Sequence, residues 1–358
     1  MPSTPKPTAA LQARRWQELD LLCRLGLGLA PIAPDVCALL RQLAGADAAA
    51  LFWLDEEGLP EGFFHEDSPD SVRDLFLNEF ERLFVGPHET NVLALARRDG
   101  PRVGRLIAPD ARYFRSNTYN LLVRASGHHH ALDLRVEVPG PSGPVVRAVV
   151  LLFRAPGTVF GPPQAEVLER ASAHLARAFA PARAAPWNAS TDGPVGHVLL
   201  DAASQRPVLA DATAWQLLRQ AQLRGLGLSD APDTADLPAH LPRLLAAQPG
   251  QATRIAVPQG VLQVQTHALH PPGGGAMQLL MTLQLQRPRH IDVARRVLAL
   301  PLSPLQREIA LLAGLGHARA DCGIHTGVGP EALKKHLRTI LQTAGASDWD
   351  SLATSLRS

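Results

Sequence analysis

Between Leu302 and Leu356, glycine and proline fall at spacings that admit only a run of short helices. This punctuation constrains the chain more than any other feature. Ser303 can cap a helix N-terminus, Pro304 suits the first helical position, and Gln306 completes a capping box. Leu305, Ile309 and Leu312 then repeat on one face, and "GLG" (314–316) stops the helix. "HARADCGIH" (317–325) forms a weaker helix, because Gly323 inside it costs about 1 kcal/mol relative to alanine. "TGVG" makes a tight turn. Pro330 reopens a helix, and Glu331 in its first turn complements the helix dipole. That last long helix has two faces: Leu333, Leu337, Ile340, Leu341 and Ala344 turn inward, while Lys334, Lys335, Arg338 and Gln342 turn away. Gly345 ends it, and "SDWDSLATSL" starts another. Four short helices, the second and third joined by a tight turn, make the helix-turn-helix layout, whose second helix is built to enter a DNA major groove.

Charge bears on that expectation. The chain of 358 residues carries a net charge of only +2, so a nucleic-acid function has to rest on a local basic patch. Only three of its 35 basic residues are lysines, and two of these are Lys334 and Lys335. Residues 302–358 hold six basic groups against five acidic ones, so segregation decides, and residues 334, 335 and 338 are segregated on one face. A basic helix face is, by itself, equally the solvated side of a surface helix.

The rest of the chain is long enough for two or three domains, and 46% hydrophobic residues supply real cores. Residues 1–10 read as a loose tail, followed by helices over Leu11–Leu25 and from Pro34–Asp35, with Val36, Leu39, Leu40 and Leu43 as a buried stripe. "AAALFWL" (48–54) is a strand. Ser68–Pro69 opens a helix with Val72, Leu75, Phe76, Phe80 and Leu83 inward. "ALDLRVEV" alternates, with Leu132, Leu134, Val136 and Val138 on one face and Asp133, Arg135 and Glu137 on the other. "PGPSGP" turns it into the returning strand "VVRAVVLLF", and 161–179 is an amphipathic helix. The order describes an antiparallel sheet flanked by helices. "APARAAPWNASTDGPVG" (180–196) is a linker and a boundary. Beyond it come a strand, turn, short strand and helix, then "TRIAV", "VLQVQTHAL" and "AMQLLMTLQLQ" as strands. "RPRHIDVARRVLAL" (287–300) is a helical connector.

Three resemblances follow from these segments. The ending "VVLLFRAPGTVFGPPQAEVLERASAHLARAFA" resembles the last strand, Phe-containing loop and closing helix of a GAF sensory domain, over about residues 15–180. The unit over 195–287 resembles a PAS-like domain. Residues Leu302 to Leu352 resemble, without a gap, the helix-turn-helix of the LuxR/NarL-type bacterial transcription regulators. "LSPLQREI" matches the family's opening, "PEALKKHL" its recognition helix, and Gly316, Asp321, Val328, Ile340, Gly345 and Leu352 coincide with its pattern. The resemblance implies that Lys334 and Lys335 contact bases and phosphates and that Arg338 adds a basic contact. Arg319 would clamp the backbone, and Glu331 and Gln342 flank the same surface. Ala332 stands where the family has a phosphate-contacting Thr, Thr326 where it has a core Leu, Cys322–Gly323 for an Ile-Ala pair, and Ala320 for a Lys.

The expected architecture is therefore multidomain: an α+β GAF-like domain (11–180), a small α+β PAS-like domain (195–287) and an all-α four-helix LuxR-type domain (298–358). The expected function is a cytoplasmic transcription regulator that binds double-stranded promoter DNA as a homodimer, with a small-molecule ligand in the N-terminal part. The departures in the second helix leave open an alternative, a helix-turn-helix that has become a protein-interaction or dimerisation module. No catalytic set such as GxSxG, HExxH or a kinase motif is present, so no enzyme and no cofactor are expected. Cys23, Cys37 and Cys322 form no CxxC pair and read as reduced thiols. "HHH" (128–130) suggests no metal site, because adjacent residues alternate in direction. The N-terminus has no apolar signal core, and no run reaches the roughly 20 apolar residues of a membrane helix.

Overall fold

Strand β1 (Ala48–Leu54) is buried at all seven positions, so both faces of its sheet are covered. The computed structural model describes residues 9–180, 189–190, 193–204, 206–221 and 252–357. It is a mixed α/β architecture with two antiparallel sheets, consistent with a multidomain α+β protein. In the first sheet β1 lies between β2 (Pro60–His65) and β4 (Val145–Arg154), and β3 (His130–Val138) forms the far edge, in the order β2-β1-β4-β3. A bridge between Val103 and Leu134 extends the β3 edge by one residue pair.

Helices α1 (Ala9–Cys23), α2 (Ala33–Ala44) and α6 (Pro162–Arg177) cover one face. Their leucines join Ala49, Leu51 and Trp53 of β1 and Leu132, Leu134 and Val136 of β3 in one apolar cluster. On the other face lie α3 (Asp70–Asn78), α4 (Phe80–Leu83), α5 (Val92–Ala96) and a π turn at Thr118–Val123. The single helix expected from Ser68 breaks at Glu79, and Phe80 and Phe84 swing into a second cluster with Phe52, Phe76 and Phe153. This covering also buries the polar side of β3. The Asp133 carboxylate accepts the Leu106 N–H at 2.7 Å, and Arg135 reaches backbone carbonyls of the same segment and the Glu137 carboxylate at 2.7 Å. Buried charges persist where such partners exist.

The second sheet contains β6 (Val195–Asp201), β7 (Pro207–Ala210), β8 (Ala252–Val257), β9 (Gly260–Leu269) and β10 (Gln278–Pro288), in the order β7-β6-β10-β9-β8. β5 (Ala189–Ser190) pairs with Arg287 and Pro288 of β10, inside the stretch expected as a linker. Most of that linker, and the Leu/Pro/Gly-rich middle, lie outside the described residues. α7 (Ala212–Gln220) begins at an Asp211 cap whose carboxylate accepts the Ala214 N–H at 2.7 Å, and it packs on this sheet. Each sheet sets the first and last strands of its unit side by side in the middle.

The C-terminal helices are α8 (Arg289–Ala299), α9 (Pro304–Leu315), α10 (Arg319–Thr326), α11 (Pro330–Ala344) and α12 (Trp349–Arg357). Ile291, Val297, Ile309, Leu337 and Leu356 belong to the same apolar cluster as Leu22 and Leu39 of α1 and α2. Polar bridges run along that seam: Arg14 to the Leu298 carbonyl (3.2 Å), Arg24 to Glu308 (3.4 Å), Arg295 to Asp35 (2.8 Å) and Arg307 to Gln17 (3.1 Å). Among the described residues no helix is long and apolar enough to cross a membrane.

Candidate functional site

The C-terminal punctuation folds as its chemistry dictates. The Ser303 hydroxyl accepts the Gln306 N–H at 3.5 Å, while the Gln306 side chain accepts the Ser303 N–H at 3.0 Å, closing the capping box. Gly316, Gly327 and Gly345 end α9, α10 and α11 in the left-handed region. Arg357 donates from Nε to the Gly314 carbonyl at 2.8 Å and so ties α12 across the end of α9. Trp349 Nε1 donates to the His317 carbonyl at 3.1 Å.

The residues that depart from the family pattern have local accounts. The Thr326 hydroxyl turns back to the Cys322 carbonyl at 2.6 Å, a bond to the preceding turn that a leucine would not make. Cys322 is fully buried in the C-terminal core, with burial pushing its thiol up to about 11, and acts as a small apolar residue. A Cβ on Gly323 would stand 3.1 Å from the Val328 carbonyl oxygen, so glycine lets the turn between α10 and α11 close tightly.

On α11, Leu333, Leu337 and Ile340 are buried, whereas Lys334, Lys335 and Arg338 are exposed together. None of the three basic groups is in an ion pair among the described residues. Glu331 and Gln342 are exposed at either end of this helix, and Arg319 is exposed at the start of α10. The face is a row of three exposed basic groups, with Glu331 one turn before them, on a helix whose other side is locked into the core.

A second feature lies in the first unit. Between the first sheet and α3–α5 lies a small cavity of about 80 Å³. Its walls are mostly apolar and include Phe52, Phe63, Phe76, Leu106, Tyr113 and Phe153. Phe52 and Phe63 stack at 5.5 Å, and Phe76 meets Phe63 edge-on at 5.5 Å. The polar lining is partly committed. The Asn91 side chain caps α5 by accepting the Ala94 N–H at 2.9 Å, and the Thr118 hydroxyl donates to Glu89 at 2.5 Å. Burial raises the Tyr113 phenol, which stays protonated.

At its rim stand His65 and, behind it, Asp67 and His128. The Asp67 carboxylate lies 3.3 Å from His65 Nδ1 and 3.1 Å from His128 Nε2. Partial burial raises the Asp67 carboxyl, but the hydrogen bonds from both imidazoles outweigh it and hold the group below the usual range. His128, expected in a polar loop, is buried against Phe153, while His129 turns to the Tyr119 hydroxyl. Sequence reasoning missed His65 and Asp67 because more than sixty residues separate them from His128.

No family model and no curated protein matches the sequence. Solved structures similar to the chain include the phage VqmA–DPO complex, at 18% identity over 46% of this chain and 81% of that one, with a TM-score of 0.24. The complex of DhaR(N) with DhaL from E. coli is similar at 12% identity over 79% and 92%, with a TM-score of 0.20. The sensor region of a sensor histidine kinase is similar at 14% identity over 78% and 94%, with a TM-score of 0.17. Superpositions at these scores define no common fold.

Proposed function

We propose that the chain is a transcription regulator in which residues 298–358 bind promoter DNA and the GAF-like unit over 11–180 takes a small, largely apolar ligand. The exposed row Lys334, Lys335 and Arg338 carries this reading, on a helix that follows a tight turn and is anchored by Leu333, Leu337 and Ile340. In its DNA-binding mode α11 would lie in the major groove, with the lysines and Arg338 reaching phosphates and base edges, and Arg319 would clamp the backbone. The PAS-like unit over 195–287 would hold a homodimer on a two-fold site, in the cytoplasm. The seam between α1, α2 and the C-terminal helices would carry a change in the ligand unit to the DNA-binding helices. The test is selection from a random duplex pool by the full-length protein across a salt series. Enrichment of a two-fold motif is expected, with binding that falls as salt rises by about 0.9 in log–log slope per phosphate contacted.

One observation favours a second reading. Ile324 on α10, the helix before the basic one, is 83% exposed. A protein-interaction module would use such a residue. Retained partner or self-association together with no enriched sequence would support it.

A further inference from the structure

We infer that His65, Asp67 and His128 form a binding site for a divalent transition-metal ion at the rim of the apolar cavity. This assignment rests on the first unit alone and is independent of DNA binding.

Two imidazoles and one carboxylate are a borderline-soft donor set, suited to zinc, cobalt, nickel or ferrous iron and poorly suited to calcium or magnesium. The three residues come from different parts of the chain, the end of β2, the turn after it and the turn before β3. Their ligand atoms nevertheless gather within 4.8 Å of one another. Bonds of 2.0–2.1 Å in a tetrahedral site place neighbouring ligand atoms about 3.3 Å apart. The separations from Asp67 Oδ1 are 3.3 and 3.1 Å, so an ion could enter with small side-chain adjustments.

The rings are already held. His65 and His128 both stack on Phe153, with centroids 5.1 and 5.0 Å away and planes within 21° and 16° of its own. Their orientation is therefore fixed before any ion arrives, which reduces the ordering cost of binding. The Asp67 side chain is 47% exposed and gives an ion a path from solvent, whereas the His128 side chain is 5% exposed and anchors the far side.

Three protein ligands leave a fourth position open, the arrangement of a site that also binds water or a ligand. His65 lines the cavity, as do Ser68 and Ser126, each near a ligand residue in sequence. The open position thus borders the cavity, where a molecule with one donor atom and an apolar body could complete the shell.

The same contacts would also arise in a plain His–Asp–His hydrogen-bonded cluster, and the experiment separates the two. Tag-free full-length protein is stripped with a chelator and titrated with Zn²⁺ and Co²⁺, followed by calorimetry and by the visible absorption of Co²⁺. The expected result is one site per chain with a tetrahedral cobalt spectrum. Asp67→Asn and His65→Ala should each weaken it at least about a hundredfold, with far-ultraviolet circular dichroism unchanged. Asp67 is half-exposed, so its variant reads the site without removing a buried ring. Absence of a stoichiometric ion in the wild type, or an ion bound as tightly by both variants, would overturn the assignment.

Discussion

Ala49, Leu51 and Trp53 of β1 point into the cluster shared with α1, α2 and α6, whereas Ala48, Ala50 and Phe52 of the same strand point toward the cluster that surrounds the cavity. The first face is covered by long helices whose leucines interdigitate with the sheet. The second is covered by short helices and turns carrying large rings, and rings fixed edge-on or stacked cannot fill every gap between them. The solid face also continues without interruption into the C-terminal helices. One face of the sheet is thus packed solid and continuous with the core of the C-terminal helices, and the other leaves a cavity.

Truncation should separate the two faces most. Leu134 is fully buried on the solid face, and Leu134→Ala should cost about 2–5 kcal/mol in denaturant unfolding. Leu106→Ala, at a side chain that lacks packing partners on its cavity side, should cost less than Leu134→Ala. Equal costs would break the distinction.

Asp133, on the hollow face, supplies a pH test. Burial pushes its carboxyl up from 3.8 to about 6, against the pull of the Leu106 N–H, Arg105 and Arg135. The folded state therefore holds this proton more tightly than the unfolded state. The stability it contributes is complete below about pH 4 and is lost as pH rises through about 6. The difference is on the order of 3 kcal/mol. Asp133→Asn should remove that slope, so that the variant gains stability relative to wild type from pH 4 to pH 7. A constant difference across this range would contradict the assignment.

Filling the cavity should give a smaller change. Val72→Phe, from α3, should keep stability within about 1 kcal/mol and exclude xenon from the cavity, whereas Val150→Phe on the solid face should cost about 1–3 kcal/mol. The smallest effect belongs to the seam. Glu308→Ala removes the half-exposed bridge to Arg24, which keeps its pairing with Asp20, and should cost less than about 1 kcal/mol.

These contrasts also explain what the sequence could reveal. The helices of the solid face and of the C-terminus announce themselves, because Val36, Leu39, Leu40 and Leu43 repeat at helical spacing and Ser303, Gly316 and Gly345 mark the ends. The longer strands were legible too, β3 by its alternation, whereas β5 lies in a stretch that reads as a linker. The covering of its polar side was not, since Asp133 and Arg135 are buried by partners that local pattern does not encode. The His65–Asp67–His128 cluster was equally hidden, being a product of chain segments far apart. The basic face of α11 was readable as a pattern, and the structure exposes it.

The most direct measurement is the affinity of full-length protein for its selected duplex, with wild type compared against Lys334→Ala/Arg338→Ala at several salt concentrations. The expected result is a loss of at least about tenfold in affinity and a flatter salt slope, by roughly one for each phosphate contact removed. Unchanged affinity and slope, in a variant with wild-type stability, would contradict DNA recognition by this face.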